Sequence, residues 1–230
     1  TTNNAYNNPS SAGNAAGLAA LALLEKRAGV LPSDPPQGYQ GASAGDKAKL
    51  DLIMAYIIAR AQVSGIYSYP DGADLMAMSV YLRSGGPNQA GALAAIKTTF
   101  DRVRANQDAE GYWCYNGPGC KDSSTTQLVM AGLASAKTVF LDPVYADAVR
   151  AGQLATLVTK ARAAYADHGD DLPAVTVGGQ LEATERGHGY NVGWSPSIQQ
   201  TASGTWIQQV GGANLQDPDI QRYLNWLYYR

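Results

Sequence analysis

A chain of 230 residues with only 16% charged residues and a net charge of -2 has no basic stripe with which to neutralise phosphates. This excludes nucleic acid as a partner and disfavours an anionic membrane surface. A hydrophobic content of 45% excludes a disordered chain. The longest apolar run, Ala15 to Leu24, is about half a membrane span and ends in Glu25-Lys26-Arg27, so no membrane-crossing helix is expected.

Thr1 to Ser11 is rich in asparagine and is expected to lie loosely across the surface. The chain starts at Thr1 rather than at methionine, as a processed product or a fragment of a larger chain would. Ala15 to Arg27 reads as a helix so poor in polar residues that it is buried on several sides. Val30 to Gly45, with its prolines and glycines, reads as a long connector, and Asp46 to Val63 as a second helix carrying Leu50, Ile53 and Ile57. An aromatic turn then leads into a short apolar helix over Ala73–Leu82, and Asn88 caps a long amphipathic helix through Ala105. A second aromatic turn leads to an almost uncharged helix over Ser123–Ala136. Asp142-Pro143 signals the start of the next helix, in which Val144, Ala148, Ala151, Leu154, Val158, Ala161 and Tyr165 recur at helical spacing.

Ala166 to Gly193 breaks this rhythm. It holds both histidines and the fragment Ala174-Val175-Thr176-Val177-Gly178-Gly179, a short strand or a loop. Ser197 to Val210 resumes an apolar helix, and Asp217-Pro218 opens the last one, with Ile220, Leu224 and Leu227. Eight helices thus alternate in kind. The odd ones lack a charged face and the even ones have one, so an inner layer of small apolar helices covered by an outer layer is expected. The expected fold class is all-α: an α/α toroid or curved solenoid of repeated helical hairpins over about 12–64, 65–108, 111–166 and 189–230, forming one domain over 1–230.

The hairpins share a phrase. Gly65-Ile66-Tyr67-Ser68-Tyr69-Pro70-Asp71-Gly72-Ala73-Asp74 is echoed by Gly111-Tyr112-Trp113-Cys114-Tyr115-Asn116-Gly117 with Asp122 after a charged turn, and more loosely by Gly189-Tyr190-Asn191-Val192-Gly193-Trp194-Ser195-Pro196. Cys114 and Cys120 are the only cysteines. Their flexible loop favours a local disulfide over two free thiols or a metal pair. Such a bond, with the low charge, suits an exported protein, secreted or periplasmic.

Gly111-Tyr112-Trp113 followed by Asp122-Ser123-Ser124-Thr125-Thr126-Gln127 through Leu133 resembles the repeat of squalene and terpene cyclases and of protein prenyltransferase β subunits, whose α/α toroid also occurs in thioester-containing domains of the macroglobulin and complement type. The resemblance implies the toroid and mostly lacks the chemistry. The cyclases' Asp-x-Asp-Asp is absent, Asp170-Asp171 being the nearest pair. Asp122 matches the aspartate of the prenyltransferases' zinc-binding Asp-x-Cys, but Ser124 stands in place of the cysteine and His188 precedes a comparable helix. The Cys-Gly-Glu-Gln thioester motif is absent.

Asp74 and Asp122 stand where a turn becomes an inner helix. Each can cap its helix, or both can converge on a cavity mouth and bind a cationic or hydroxylated ligand. Tyr67, Tyr69, Trp113, Tyr115 and Trp194 either pack across neighbouring hairpins or line a concave ligand-binding face. Trp226, Tyr228 and Tyr229 pack the last helix or form an interface. His168 and His188 have acidic neighbours, among them Glu182 and Glu185, yet no spacing specifies zinc. Neither metal nor cofactor is expected. Ser123-Ser124 and Ser195-Pro196-Ser197 lie in no nucleophile elbow. The expected function is binding of a small-molecule, glycan or polypeptide ligand on the concave face, or service within a larger chain or assembly. The alternative is an enzyme acting on an isoprenoid, polysaccharide or peptide in a central cavity, with Asp74, Asp122, Glu185 and His188 as acid/base candidates.

Overall fold

The computed structural model describes residues 15–63, 65–168, 170–171, 175–177, 180–182 and 185–229; the asparagine-rich start and Ala174, Gly178 and Gly179 lie outside these. The described residues form an all-α bundle of eight helices with almost no sheet. They are α1 (Ala16–Leu24), α2 (Ala44–Arg60), α3 (Ser68–Arg83), α4 (Gln89–Ala105), α5 (Ser123–Phe140), α6 (Ala148–His168), α7 (Ile198–Val210) and α8 (Pro218–Tyr229). Between α6 and α7, β1 (Asp170–Asp171) pairs with β4 (Arg186–Gly187), and β2 (Val175–Val177) with β3 (Gln180–Glu182), both antiparallel.

Side-chain caps set most helix starts. Ser43, Asn88, Asp122 and Ser197 each accept from the backbone N–H three residues on, which satisfies a donor the helix itself leaves open. Two starts differ from the sequence reading. α3 begins at Ser68 rather than Ala73: Pro70 lies in the first turn, where no N–H is needed, and the Asp71 carboxylate accepts from Tyr67 N–H at 3.2 Å. Asp74 therefore lies in the second helical turn rather than at the helix start. In the next hairpin, Asp142-Pro143 belongs to a turn in which Tyr145 N–H donates to Asp142 O. The cap of α6 is Asp147, which accepts from Arg150 N–H at 3.1 Å.

The odd helices pack side by side in chain order, α1 on α3, α3 on α5 and α5 on α7. The even helices lie against their odd partners, α2 on α1, α4 on α3, α6 on α5 and α8 on α7. Burial follows: α3 buries twelve of its sixteen residues, whereas α2 buries four of seventeen. Helix α3 is touched on nearly every side and can carry no charged face except through paired groups.

Close approach explains the small residues of the inner helices. A Cβ built on Gly72 of α3 would collide with the Leu128 carbonyl of α5, and one on Gly132 of α5 would lie 2.7 Å from the Gly72 carbonyl. Gly72→Ala is expected to lower stability by about 2–3 kcal/mol, because backbone rather than a side chain must move. Gly152→Ala in α6, where nothing lies within 4 Å, should be neutral or stabilise by up to about 1 kcal/mol. Equal denaturation midpoints for the two variants would contradict this packing.

Candidate functional site

The repeated turns share one hydrogen-bond pattern, with a different register from the one their aromatic residues suggest. Trp113 N–H donates to Thr126 Oγ1 at 3.0 Å, and 75 positions later His188 N–H donates to Thr201 Oγ1 at the same distance. Asp122 caps α5 and Ser197 caps α7 in the same relation. His188 thus stands where Trp113 stands, and Tyr190 corresponds to Tyr115 rather than to Tyr112. Likewise the equivalent of Asp122 in the first hairpin is Tyr67, the residue preceding α3, and not Asp74.

This register links each turn to the inner helix before it. Ser68 N–H donates to Tyr115 O, and Ser123 N–H to Tyr190 O, both at 2.9 Å. The two serine hydroxyls repeat the relation one residue earlier, Ser68 to Cys114 O and Ser123 to Gly189 O. The Cys114–Cys120 disulfide, with Cα atoms 5.2 Å apart, closes the turn that carries Tyr115. The expected local disulfide is thus present.

As a result, a tyrosine from the first turn of α3 and one from each of the two later loops arrive at the same place. Tyr69 Oη donates to Ser124 Oγ at 2.5 Å, Tyr115 and Tyr190 hydroxyls lie 2.6 Å apart, and Tyr190 Oη is 3.0 Å from Ser124 Oγ. Ser124 Oγ in turn donates to Asp122 Oδ1 at 2.6 Å. Asp122 is buried and also accepts from Thr125 N–H at 2.9 Å. The three phenols are half-buried, and burial raises the Tyr69 hydroxyl above the ordinary range. The hydrogen bond to Tyr190, followed by burial, raises Tyr115. Trp194, 60% exposed, leans on Tyr190 with ring centroids 6.2 Å apart, and Tyr67 is 38% exposed. Three of the five expected ligand-facing aromatics, Tyr69, Tyr115 and Trp194, therefore sit at this cluster or beside it. Trp113 is wholly buried and donates its indole N–H to Val103 O at 2.8 Å. It packs the core, so the expectation of a ligand-facing ring is corrected.

Behind the cluster lies His188, fully buried. Its Nδ1 is 2.8 Å from Gly189 O and 2.9 Å from Ser123 Oγ. A carbonyl only accepts, so Nδ1 carries the proton and Nε2 accepts from Tyr112 Oη at 2.8 Å. Tyr165 stacks on the imidazole with centroids 4.3 Å apart. Burial lowers the His188 pKa to about 4, which keeps the ring neutral. The Ser123–His188 contact resembles a nucleophile and its base, but the geometry denies that role. The nitrogen facing the serine already bears a proton, and Ser123 is wholly buried. The pair ties the third turn to the start of α5.

The remaining candidates lie apart. Asp74 is buried and paired with Arg60 of α2, whose Nε donates to Oδ2 at 2.9 Å. Burial raises its pKa to about 6, with the Arg60 bond and charge opposing the rise. It shares no hydrogen bond with Asp122 among those of the described residues, so the expected meeting of the two carboxylates is not found there. Glu185 is buried immediately before β4. His168 Nε2 is 3.1 Å from Glu110 Oε2. No group of three His, Cys, Asp or Glu side chains among the described residues can hold a metal ion, and Ser124, in the place of a thiolate ligand, is engaged with Asp122. A groove of about 380 Å³ lies over Asp51, Met54, Tyr81 and Asn88, and one of about 240 Å³ over Ser79, Arg83, Ser135 and Thr138; neither includes an expected site residue.

Sequence reasoning passed over Tyr190 as a ligand residue and missed Ser124 as the hub. The matched serines Ser68 and Ser123 were the available signal, since aligning on them rather than on Gly-aromatic pairs brings Tyr115 and Tyr190 into register. No protein-family model, curated protein or solved structure matches this chain.

Proposed function

We propose that this chain is an exported binding module, a curved array of helical hairpins of the α/α-toroid kind, that takes its ligand on the tyrosine cluster at the starts of α3 and α5. The serial packing of the odd helices and the repeated turn geometry support the array. One observation carries the function: Tyr69, Tyr115 and Tyr190, far apart in the chain, converge through Ser124 on the single carboxylate of Asp122. Their hydroxyl positions are set by turn, disulfide and helix cap before any ligand arrives, and such preorganisation reduces the ordering cost of binding. The enzymatic alternative gains no observation, because the Ser123–His188 pair is closed and Asp74 is engaged by Arg60.

A thermal-shift screen of chemically diverse ligands on the wild type, repeated on Trp194→Ala, tests this reading. Trp194 is exposed, so the variant should melt within about 2 °C of the wild type, and ligands of the cluster should bind it about tenfold or more weakly. If every ligand found binds both proteins equally, the site is wrongly placed.

A further inference from the structure

We propose that Asn116 is a site of self-modification: in the folded protein its side-chain amide is lost to attack by the backbone nitrogen of Gly117, leaving aspartate or isoaspartate in the disulfide-closed loop. The inference stands apart from the ligand reading above. Asn116 is the one asparagine of the chain that glycine follows, and without a Cβ on Gly117 nothing screens its nitrogen. Asn116 is exposed, and residues 114–120 form neither helix nor strand. Neither the Asn116 amide nor the Gly117 N–H is engaged in a hydrogen bond among those of the described residues. A Cβ built on Gly117 would meet only Asn106 Oδ1, at 3.9 Å, and one on Gly119 nothing within 4 Å, so the loop faces open space. The other described asparagines lack these conditions. Asn88 accepts from Gly91 N–H, Asn106 donates to Arg102 O, and Asn214 accepts from Gln216 N–H. Asn191 precedes the β-branched Val192, which crowds the attacking nitrogen. Asn225 lies inside α8, where the backbone N–H groups are committed to the helix.

The steps need only water and hydroxide. Gly117 N gives its proton to hydroxide and bonds to Asn116 Cγ; the bond from Cγ to Nδ2 breaks, and the amide nitrogen leaves as ammonia. A five-membered cyclic imide remains, and one water opens it. Cleavage between Cγ and the Gly117 nitrogen restores the chain with aspartate in place of asparagine. Cleavage between the backbone carbonyl carbon and that nitrogen routes the chain through Cβ and Cγ, as isoaspartate. The sum is one water consumed and one ammonia released, with no change of oxidation state. The isoaspartyl form adds one atom to the backbone ring that the Cys114–Cys120 bond closes, and the open space around Gly117 and Gly119 takes it up. Either product adds one negative charge to a net charge of -2. The new carboxylate stands in the residue next to Tyr115, whose hydroxyl meets that of Tyr190.

The test holds the full chain, disulfide intact, in ammonia-free buffer of mildly alkaline pH made with isotope-labelled water, and follows it by anion exchange and peptide mass mapping. A more acidic form should accumulate, converted first at Asn116, carrying labelled oxygen and containing both aspartate and isoaspartate. The closed ring should slow the conversion by no more than about tenfold against a linear peptide of the same sequence. Asn116→Gln, whose longer side chain would have to close a larger ring, should lose this acidic form while its melting temperature stays that of the wild type. Conversion of another asparagine before Asn116 would overturn the inference. So would an Asn116 still wholly intact once the linear peptide has converted completely. Aspartate formed without isoaspartate would overturn it as well, because direct hydrolysis of the amide cannot reroute the chain.

Discussion

Replacing Arg102 by leucine is expected to lower stability by about 3–5 kcal/mol, the largest effect of any single side chain considered. The guanidinium of Arg102 grips Asp71 with two bonds, Nε to Oδ2 at 3.0 Å and Nη2 to Oδ1 at 2.8 Å. Its Nη1 reaches the carbonyls of Ala61 and Val63 at 2.8 and 3.1 Å. One side chain of α4 thereby holds the first turn of α3 and closes the C-terminal end of α2. Asp71 is only 4% exposed, and without Arg102 it would keep Tyr67 N–H at 3.2 Å against the full penalty of a buried charge. Arg102→Lys should fall between, since a point charge cannot reproduce the fork. The double variant Arg102→Leu/Asp71→Leu should recover part of the loss, because the orphaned carboxylate is gone. Arg150→Leu, whose pairs with Asp101 and Asp147 are more exposed, should lose only about 1 kcal/mol. Urea denaturation that ranks Arg102→Leu no worse than Arg150→Leu would refute the clamp.

Acid should act through His188. Burial lowers its pKa to about 4 from 6.5, so between those values the unfolded chain binds a proton that the fold excludes. Stability from this group is fully present above pH 6.5 and falls as the pH drops, by about 3 kcal/mol at and below pH 4. Asp74 works in the opposite sense. Its carboxyl, raised to about 6 from 3.8, takes up a proton in the fold before it does so in the unfolded chain, which favours the fold as the pH falls through this window. The wild type should therefore show a muted dependence. Asp74→Asn should reveal a steeper acid loss, and His188→Gln a shallower one. The stability gap between wild type and His188→Gln should narrow by about 3 kcal/mol from pH 7 to pH 4. Parallel profiles for the two proteins would mean that His188 is not held neutral by burial.

Much of the fold was legible because helices announce themselves locally. Asn88, Asp122 and Ser197 cap where their side chains suggest, and the spacing of Leu154, Val158, Ala161 and Tyr165 marks the buried face of α6, although Val144 of the same pattern is exposed and precedes the helix. The alternation of uncharged and charged helices foretold the contrast in burial between α3 and α2, but not α1, which is uncharged yet buries only Gly17, Ala20 and Leu24 and leaves Leu18 half exposed. Errors fell where a local signal had a distant competitor. Asp142-Pro143 has the chemistry of a helix start, yet Asp147 wins because it also binds Lys97 and Arg150. Trp113 shares a phrase with Tyr115, but only neighbouring helices decide that one ring is enclosed and the other half-open.

The sequence by itself determined the eight helices of the described residues, their order and the disulfide, all of which depend on residues within one or two turns of each other. Only the tertiary structure decided the register of the third turn, the Ser124 hub and the fate of each candidate carboxylate. Those depend on single hydrogen bonds between residues far apart in the chain, such as Tyr69 to Ser124 and Tyr112 to His188, and on the Arg60–Asp74 pair, which joins two helices. Periodicity carries no information at that range. A hydrogen bond needs its partners within about 3 Å, whereas a hairpin connector one residue longer moves a turn by about as much.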